Sequence, residues 1–421
     1  MNLNTRRDAP KLALVVLMAI STIGFVDRIV LNVLAVPIQA EFHLSDTQVG
    51  LLTGLAFSVM NVVLGIFVAR IAERKRRLSL IAIGTLLWSI ATALCGFVGN
   101  WLHLLLARIG VGVGEAVGLP ATQSVVADYF PPQRRGTAMG VLLLAPPLGA
   151  LIGAAGGAWI GQMYGWRTAF IVCAAPGAVL ALIAWLLVAE PPRGRHDPDA
   201  GEEVPPVKAV LARLFGLHSA RHLLIGSTVA SAVGFALNSF VALLLVRKFG
   251  FTLVQAGLVS GLLASAPGAF SVVAGGALAD WLGKRSPAAY ALVPGLCLLI
   301  AAPLYIFAIT RNDVTTLLVF MTTAALFQYT YLGVTYAAFA NLMHPRMRAT
   351  SSAVLGAIYG LVGQGIGPLA LGLLSDWLLR TQGLANGQAL ATAMAISAAF
   401  YLWAGIHYVM AGRTLQADLA G

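Results

Sequence analysis

The chain alternates long apolar runs with short polar breaks over nearly its whole length. The runs fall roughly at 12–36, 48–70, 78–98, 101–128, 136–162 and 167–189, then at 221–247, 252–281, 287–310, 313–342, 349–379 and 388–411. Each reaches or exceeds the ~20 residues an α-helix needs to cross a bilayer, and the surplus predicts tilt or projecting ends. The expected fold is an all-α membrane protein with twelve transmembrane helices. The first run is too long for a signal-peptide core and has no convincing cleavage site, so it reads as a retained helix.

Composition sharpens this reading. The chain is 59% hydrophobic and 10% charged, with mean hydropathy +0.85, against about 25% charged residues in a soluble domain. Lys and Arg outnumber the acids, giving a net charge of +11. With the N-terminus in the cytoplasm, 20 of the 27 basic residues fall on the cytoplasmic side and 5 opposite, while Arg28 and Arg108 lie within spans. That bias places both termini inside and makes the basic excess an orientation signal. Anionic membrane lipids are its secondary partners, and nucleic acid is not expected. Cys95, Cys173 and Cys297 lie in apolar runs without metal-ligand spacing, so no metal or cofactor is expected.

Glu190–Pro206, EPPRGRHDPDAGEEVPP, is the one sizeable polar linker and is expected to be a mobile loop. After it, Val207, Val210, Leu211, Leu214 and Phe215 share one helical face, which suits a short helix on the inner membrane surface. The linker splits the chain into a bundle at 1–189, a linker at 190–220 and a bundle at 221–421. An internal repeat supports the split. Pro132-Gln-Arg-Arg135-Gly-Thr-Ala138 matches Pro345-Arg-Met-Arg348-Ala-Thr-Ser351 at an offset of 213, and Ala69–Arg74 matches Gly276–Trp281 at 207. Two pseudo-symmetric six-helix bundles follow.

These residues resemble a family. Gly276-Ala-Leu-Ala-Asp280-Trp-Leu-Gly283-Lys284-Arg285 is similar to the loop signature of the major facilitator superfamily. The first-half copy departs from it, with Ala69 for glycine, Glu73 for aspartate and no inner glycine in Arg74–Arg77. Phe25-Val-Asp27-Arg28, Leu44–Leu52, Ala107–Ala116, Asp128–Pro132 and Gly165-Trp-Arg167 resemble the bacterial spinster-like branch. The resemblance implies alternating access and proton coupling. Animal spinster proteins move lysolipids and sphingoid phosphates. Hexuronate-type organic-anion symporters share the Asp-Arg and Arg…Glu placement, so the charges alone do not separate the two groups.

Four charged residues other than His sit within spans, away from their ends: Asp27, Arg28, Arg108 and Glu115. Charge at the bilayer centre is costly and normally faces a bundle interior. Arg108 and Glu115 are seven apart and share a helix face. Gly110, Gly114 and Gly118 repeat every fourth residue beside them, which lets a neighbouring helix approach. Asp27 lies roughly 22 Å from the inner end of its span and Arg108 roughly 10 Å from the outer end of its own. In a layer of about 30 Å these depths coincide, so Asp27 and Arg108 are expected to pair, with Glu115 about 10 Å deeper. An arginine moving between an acid and an anionic substrate would couple proton uptake to occupancy, and its planar fork grips phosphate or carboxylate. A static network that fixes helix register is the competing reading.

The second half has neutral cavity candidates: Asn238, Ser239, Gln328, Tyr329, Tyr336, Tyr359 and Gln364. A charged half with an uncharged, aromatic half suits an amphiphile with an anionic head. Gating candidates are Glu73, Arg74, Arg135, Asp280, Lys284 and Arg348, with simple membrane anchoring as the alternative for the basic ones. Pro146-Pro147 and Gly363–Pro368 are helix-bending sequences. His407 reads as a satisfied bundle residue. No nucleotide-binding loop or catalytic constellation is present, so an enzyme is not expected. The expected state is a monomer in a bacterial-type inner membrane.

Overall fold

The computed structural model describes residues 9–193, 195, 206–344 and 347–420. Most of the expected linker, and Pro345–Arg346 of the repeat, lie outside the described residues. Among the described residues eleven helices are long and apolar enough to cross a membrane. The expected fourth span is the exception, because a turn at Ala116–Val117 cuts it into Trp101–Glu115 and Gly118–Tyr129. With it the chain is consistent with twelve crossings. Large apolar side chains such as Phe67, Phe97, Phe270, Val273 and Trp377 remain exposed, as a surface bathed in lipid requires.

Span one runs Pro10–Phe42, longer than its apolar core, and carries Pro37 without stopping. It ends where His43 adopts a left-handed conformation (φ 51°). Span two starts at a Ser45–Gln48 capping box, and span three covers Arg77–Cys95. Span five is built from Pro132–Leu142, Ala145–Leu151, a wide π turn at Ile152–Gly156, and Gly157–Tyr164. Span six is Trp166–Leu187. In the second half, spans seven to nine are His218–Phe249, Leu253–Gly283 and Ala289–Thr310. Span ten is Val314–Gln328 with Thr330–Leu342, span eleven is Arg348–Gln382 with a π turn at Tyr359–Ile366, and span twelve is Asn386–Ala420. π turns fall in spans five and eleven, where the Pro-Pro and Gly-rich sequences lie, and also at Leu51–Leu55 in span two.

Two compact units result. One comprises 1–44, 55–202 and 252–261, and the other 45–54, 203–251 and 262–421. In unit one, span one packs on spans five and six, span three on six, and span three on four. Unit two repeats the scheme, with span seven on eleven and twelve, nine on twelve, and nine on ten. The repeat extends to hydrogen bonds. Arg135 Nη2 donates to Ala127 O at 2.9 Å and Arg348 Nε to Ala340 O at 2.8 Å, each eight residues back. Trp101–Glu115 and Val314–Gln328 are both 15 residues long, and Asn100 and Asp313 cap them alike, all at the 213 offset.

The short helix after the linker is Val207–Gly216. Its expected apolar face divides: Val210 and Leu214 are buried, while Val207 and Phe215 stay exposed. Arg213 fixes that rotation by donating to Leu342 O at 2.9 Å. The start of the linker is also not free. Glu190 Oε1 accepts from Arg77 Nε at 2.9 Å, its Oε2 accepts from Leu78 N, and Pro191 O accepts from Arg77 Nη2.

Candidate functional site

The site in unit one is built on spans one and four. Asp27, Arg108 and Glu115 are 0%, 1% and 6% exposed. Two glycines let the neighbouring helices close around span four. A Cβ on Gly112 would stand 2.6 Å from Phe57 O of span two, and one on Gly114 would stand 2.5 Å from Trp88 N of span three. The expected Gly110–Gly114–Gly118 stripe is therefore corrected. Gly118 meets nothing within 4 Å because the helix turns at 116–117, and Gly112 takes its place.

The charges pair differently from the depth estimate. Arg28, not Arg108, holds Glu115: its Nε donates to Oε2 at 2.6 Å and its Nη2 contacts the same oxygen. Arg108 Nη1 donates to the backbone carbonyl of Asp27 at 3.3 Å, so it neighbours Asp27 without an ion pair between the side chains. Depths measured along straight helix axes ignore side-chain reach. Arg28 is one residue, about 100°, around the helix from Asp27, and its length spans the remaining distance. Thr92 Oγ1 donates to Asp27 Oδ2 at 3.2 Å. The Phe57 ring lies under both guanidinium groups, 4.7 Å from Arg28 and 5.7 Å from Arg108, where its negative face supports positive charge.

Hydrogen-bonding capacity in this cluster is not used up. Asp27 Oδ1, Glu115 Oε1 and Arg108 Nε are buried without a partner. Two carboxylate oxygens and one guanidinium N–H, all out of water, can take a proton and an anion's oxygen respectively.

In unit two, four of the neutral candidates come together as two pairs. Asn238 Nδ2 donates to Tyr329 Oη at 2.7 Å, and Tyr336 meets Tyr359 edge-on at 6.0 Å. Gln328 is buried and accepts from Tyr305 Oη. Tyr305 stacks on Tyr401 at 6.0 Å. Sequence reasoning missed Tyr305 and Tyr401 because each stands alone in an apolar run. Ser239 is buried, and Gln364 lies in the π turn of span eleven; neither joins the Asn238–Tyr329 pair. His407 is satisfied by His222, with their Nδ1 atoms 2.8 Å apart.

Of the gating candidates, Arg135 and Arg348 hold backbone carbonyls as described. Asp280 accepts from Tyr290 Oη at 2.7 Å. The side chains of Glu73 and Arg74 lie outside the described residues. Arg77, just beyond them, is 4% exposed and also binds Ser124 and Asp128. Its acids lie 51 and 113 residues away, so spacing gave no signal.

Similarity to known proteins agrees with this arrangement. A crystal structure of a bacterial homologue of the human lysosomal transporter Spinster superposes with TM-score 0.89 at 31% identity, covering 97% of this chain and 98% of that one. An MFS-type efflux pump of Mycolicibacterium smegmatis is 32% identical over 415 residues, 96% of this chain and 93% of the pump. Mouse protein spinster homolog 1 is 27% identical over 407 residues, 89% of this chain and 75% of that protein. The Major Facilitator Superfamily model matches residues 16–368. The duplicated helical units are those of a membrane transporter, and the chain belongs to the major facilitator superfamily.

Proposed function

We propose that this chain is a proton-coupled secondary transporter of the spinster-like type, carrying an amphiphilic organic anion by alternating access. The observation that supports it most is the unspent capacity of the buried cluster in unit one: Asp27 Oδ1, Glu115 Oε1 and Arg108 Nε. A fixed structural network would satisfy these atoms, since each one left bare in a buried site costs about 1–3 kcal/mol or more. A reactive one keeps them for traffic. Arg108 takes the anionic head. When it does, Asp27 loses a neighbouring positive charge and binds a proton, and Glu115 is poised to do the same if Arg28 swings away. Both termini lie in the cytoplasm of a bacterial-type inner membrane, and the carrier works as a monomer.

Purified protein in proteoliposomes tests this with an imposed proton gradient and a lysophospholipid substrate. Asp27→Asn and Glu115→Gln are expected to abolish gradient-driven uptake while eluting as folded monomers. Full proton-driven uptake by both variants would refute the assignment. Drug efflux is a second reading, favoured by the 32% identity to the mycobacterial pump over 96% of this chain. It is distinguished by extrusion of hydrophobic cations with no competition from lysolipids.

A further inference from the structure

Arg108 is a buried cation with few direct partners. It is 1% exposed. Among the described residues it forms no ion pair, its one hydrogen bond is the 3.3 Å contact to Asp27 O, and its Nε has no partner. A charge removed from water on such terms normally neutralises itself against an opposite one. Two carboxylates belong to the same cluster and neither does so. Glu115 is held by Arg28, and Asp27 accepts from Thr92 on Oδ2 and from nothing on Oδ1.

What meets Arg108 instead is an aromatic face. Its Cζ lies 5.7 Å from the centre of the Phe57 ring, and Cζ of Arg28 lies 4.7 Å from the same ring. Arg28 has a second ring, Phe25, at 5.0 Å, whereas among the described residues Arg108 has Phe57 alone. A ring face attracts a cation most strongly where water is absent, and Phe57 is 1% exposed. Its backbone is set against the helix that carries Arg108. The Phe57 carbonyl oxygen lies 2.6 Å from where a Cβ on Gly112 would stand, and Gly112 is about one turn beyond Arg108. The two kinds of support differ in what they leave over. A carboxylate takes up the N–H groups of a guanidinium and shuts out a competing anion. A ring face supports the charge and occupies no N–H, so all of them stay available to a ligand's oxygens.

We propose that Phe57 is a positioning residue of the anion site, its ring the seat that holds Arg108 charged and unpaired until a ligand arrives, with Arg28 steadied on the same ring. This rests on the reading of Arg108 as the anion's partner, and the test separates the two. Phe57 is replaced by mono-, di- and trifluorophenylalanine, which weaken the ring face in steps at almost constant shape. In proteoliposomes with a proton gradient and lauroyl-lysophosphatidylglycerol, KM is expected to climb with each fluorine, reaching about tenfold for the trifluoro ring. Maximal uptake should change by less than about twofold. The effect falls on KM because Arg108, without its seat, settles on an acid that the anion must then displace. The same proteins are melted without ligand in one fixed detergent. The melting temperature should fall by about 1–2 °C from the unmodified to the trifluoro ring. That fall should vanish when Arg28→Gln and Arg108→Met are made together. A KM indifferent to fluorine number overturns the proposal, and so does a fall in melting temperature that survives without the two arginines. If the unmodified protein takes up no lysolipid, the transport reading fails by itself, and the melting series decides whether Phe57 seats the arginines.

Discussion

The Arg28–Glu115 pair invites a double-mutant cycle. Arg28→Gln leaves Glu115, 6% exposed, without its guanidinium. Breaking a buried ion pair from one side costs about 3–5 kcal/mol. Arg28 keeps 27% of its side chain exposed, so water screens part of the interaction and the lower figure, about 3 kcal/mol, applies. An unfolding entropy of about 2.1 cal/mol/K per residue gives about 0.9 kcal/mol/K for a chain this long. The loss then reads as about 3 °C in melting temperature, followed by tryptophan fluorescence in one fixed detergent at neutral pH. Glu115→Gln should cost less, because a neutral amide still accepts from Arg28. The double variant, with two amides in place of two charges, should return to within about 1 °C of wild type. Strictly additive losses, or an Arg28→Gln protein that melts with wild type, would show that the pair is not the electrostatic unit drawn above.

Two further outcomes follow from unit one. Arg77→Lys should lower the melting temperature by several degrees, since one ammonium cannot replace a fork that reaches Glu190, Ser124, Asp128 and Pro191 O at once. The same measurement serves for the glycines. Gly114→Ala, whose Cβ would press on Trp88 N, should lose about 1–3 kcal/mol or fail to fold, and Gly118→Ala, with open space around it, should behave as wild type.

Much of this was visible in the residues alone. Charge is so costly in an apolar helix that Asp27, Arg108 and Glu115 marked themselves, and the structure does bury them together. The Arg135 and Arg348 loops gave the duplication, which their matched hydrogen bonds confirm. Pairing was less legible. Which arginine meets Glu115 depends on rotation and on side-chain length, and axial depth contains neither. Long-range partners of Arg77 were hidden for another reason: a basic loop residue looks like a membrane anchor until Asp128 and Glu190 arrive from distant sequence. Tyr305 and Tyr401 carried no local pattern at all, because only the packing of spans nine and twelve brings their rings together.

The wide turn in span five has a geometric consequence. Gly149, Gly153, Gly157 and Gly161 follow one another every fourth residue, and a Cβ on them would meet Phe25, Val26, Val30 and Leu34 of span one in turn. In a regular α-helix a four-residue period runs about 40° ahead at each step, about 120° over three steps, and the last glycine would leave the seam. The π turn at Ile152–Gly156 absorbs one extra residue, about 100°, and so restores the phase. A 4-3-4 spacing in an unbroken helix would hold the same edge. This stretch is therefore where the chain can lose one residue and keep every downstream side chain facing nearly the way it did.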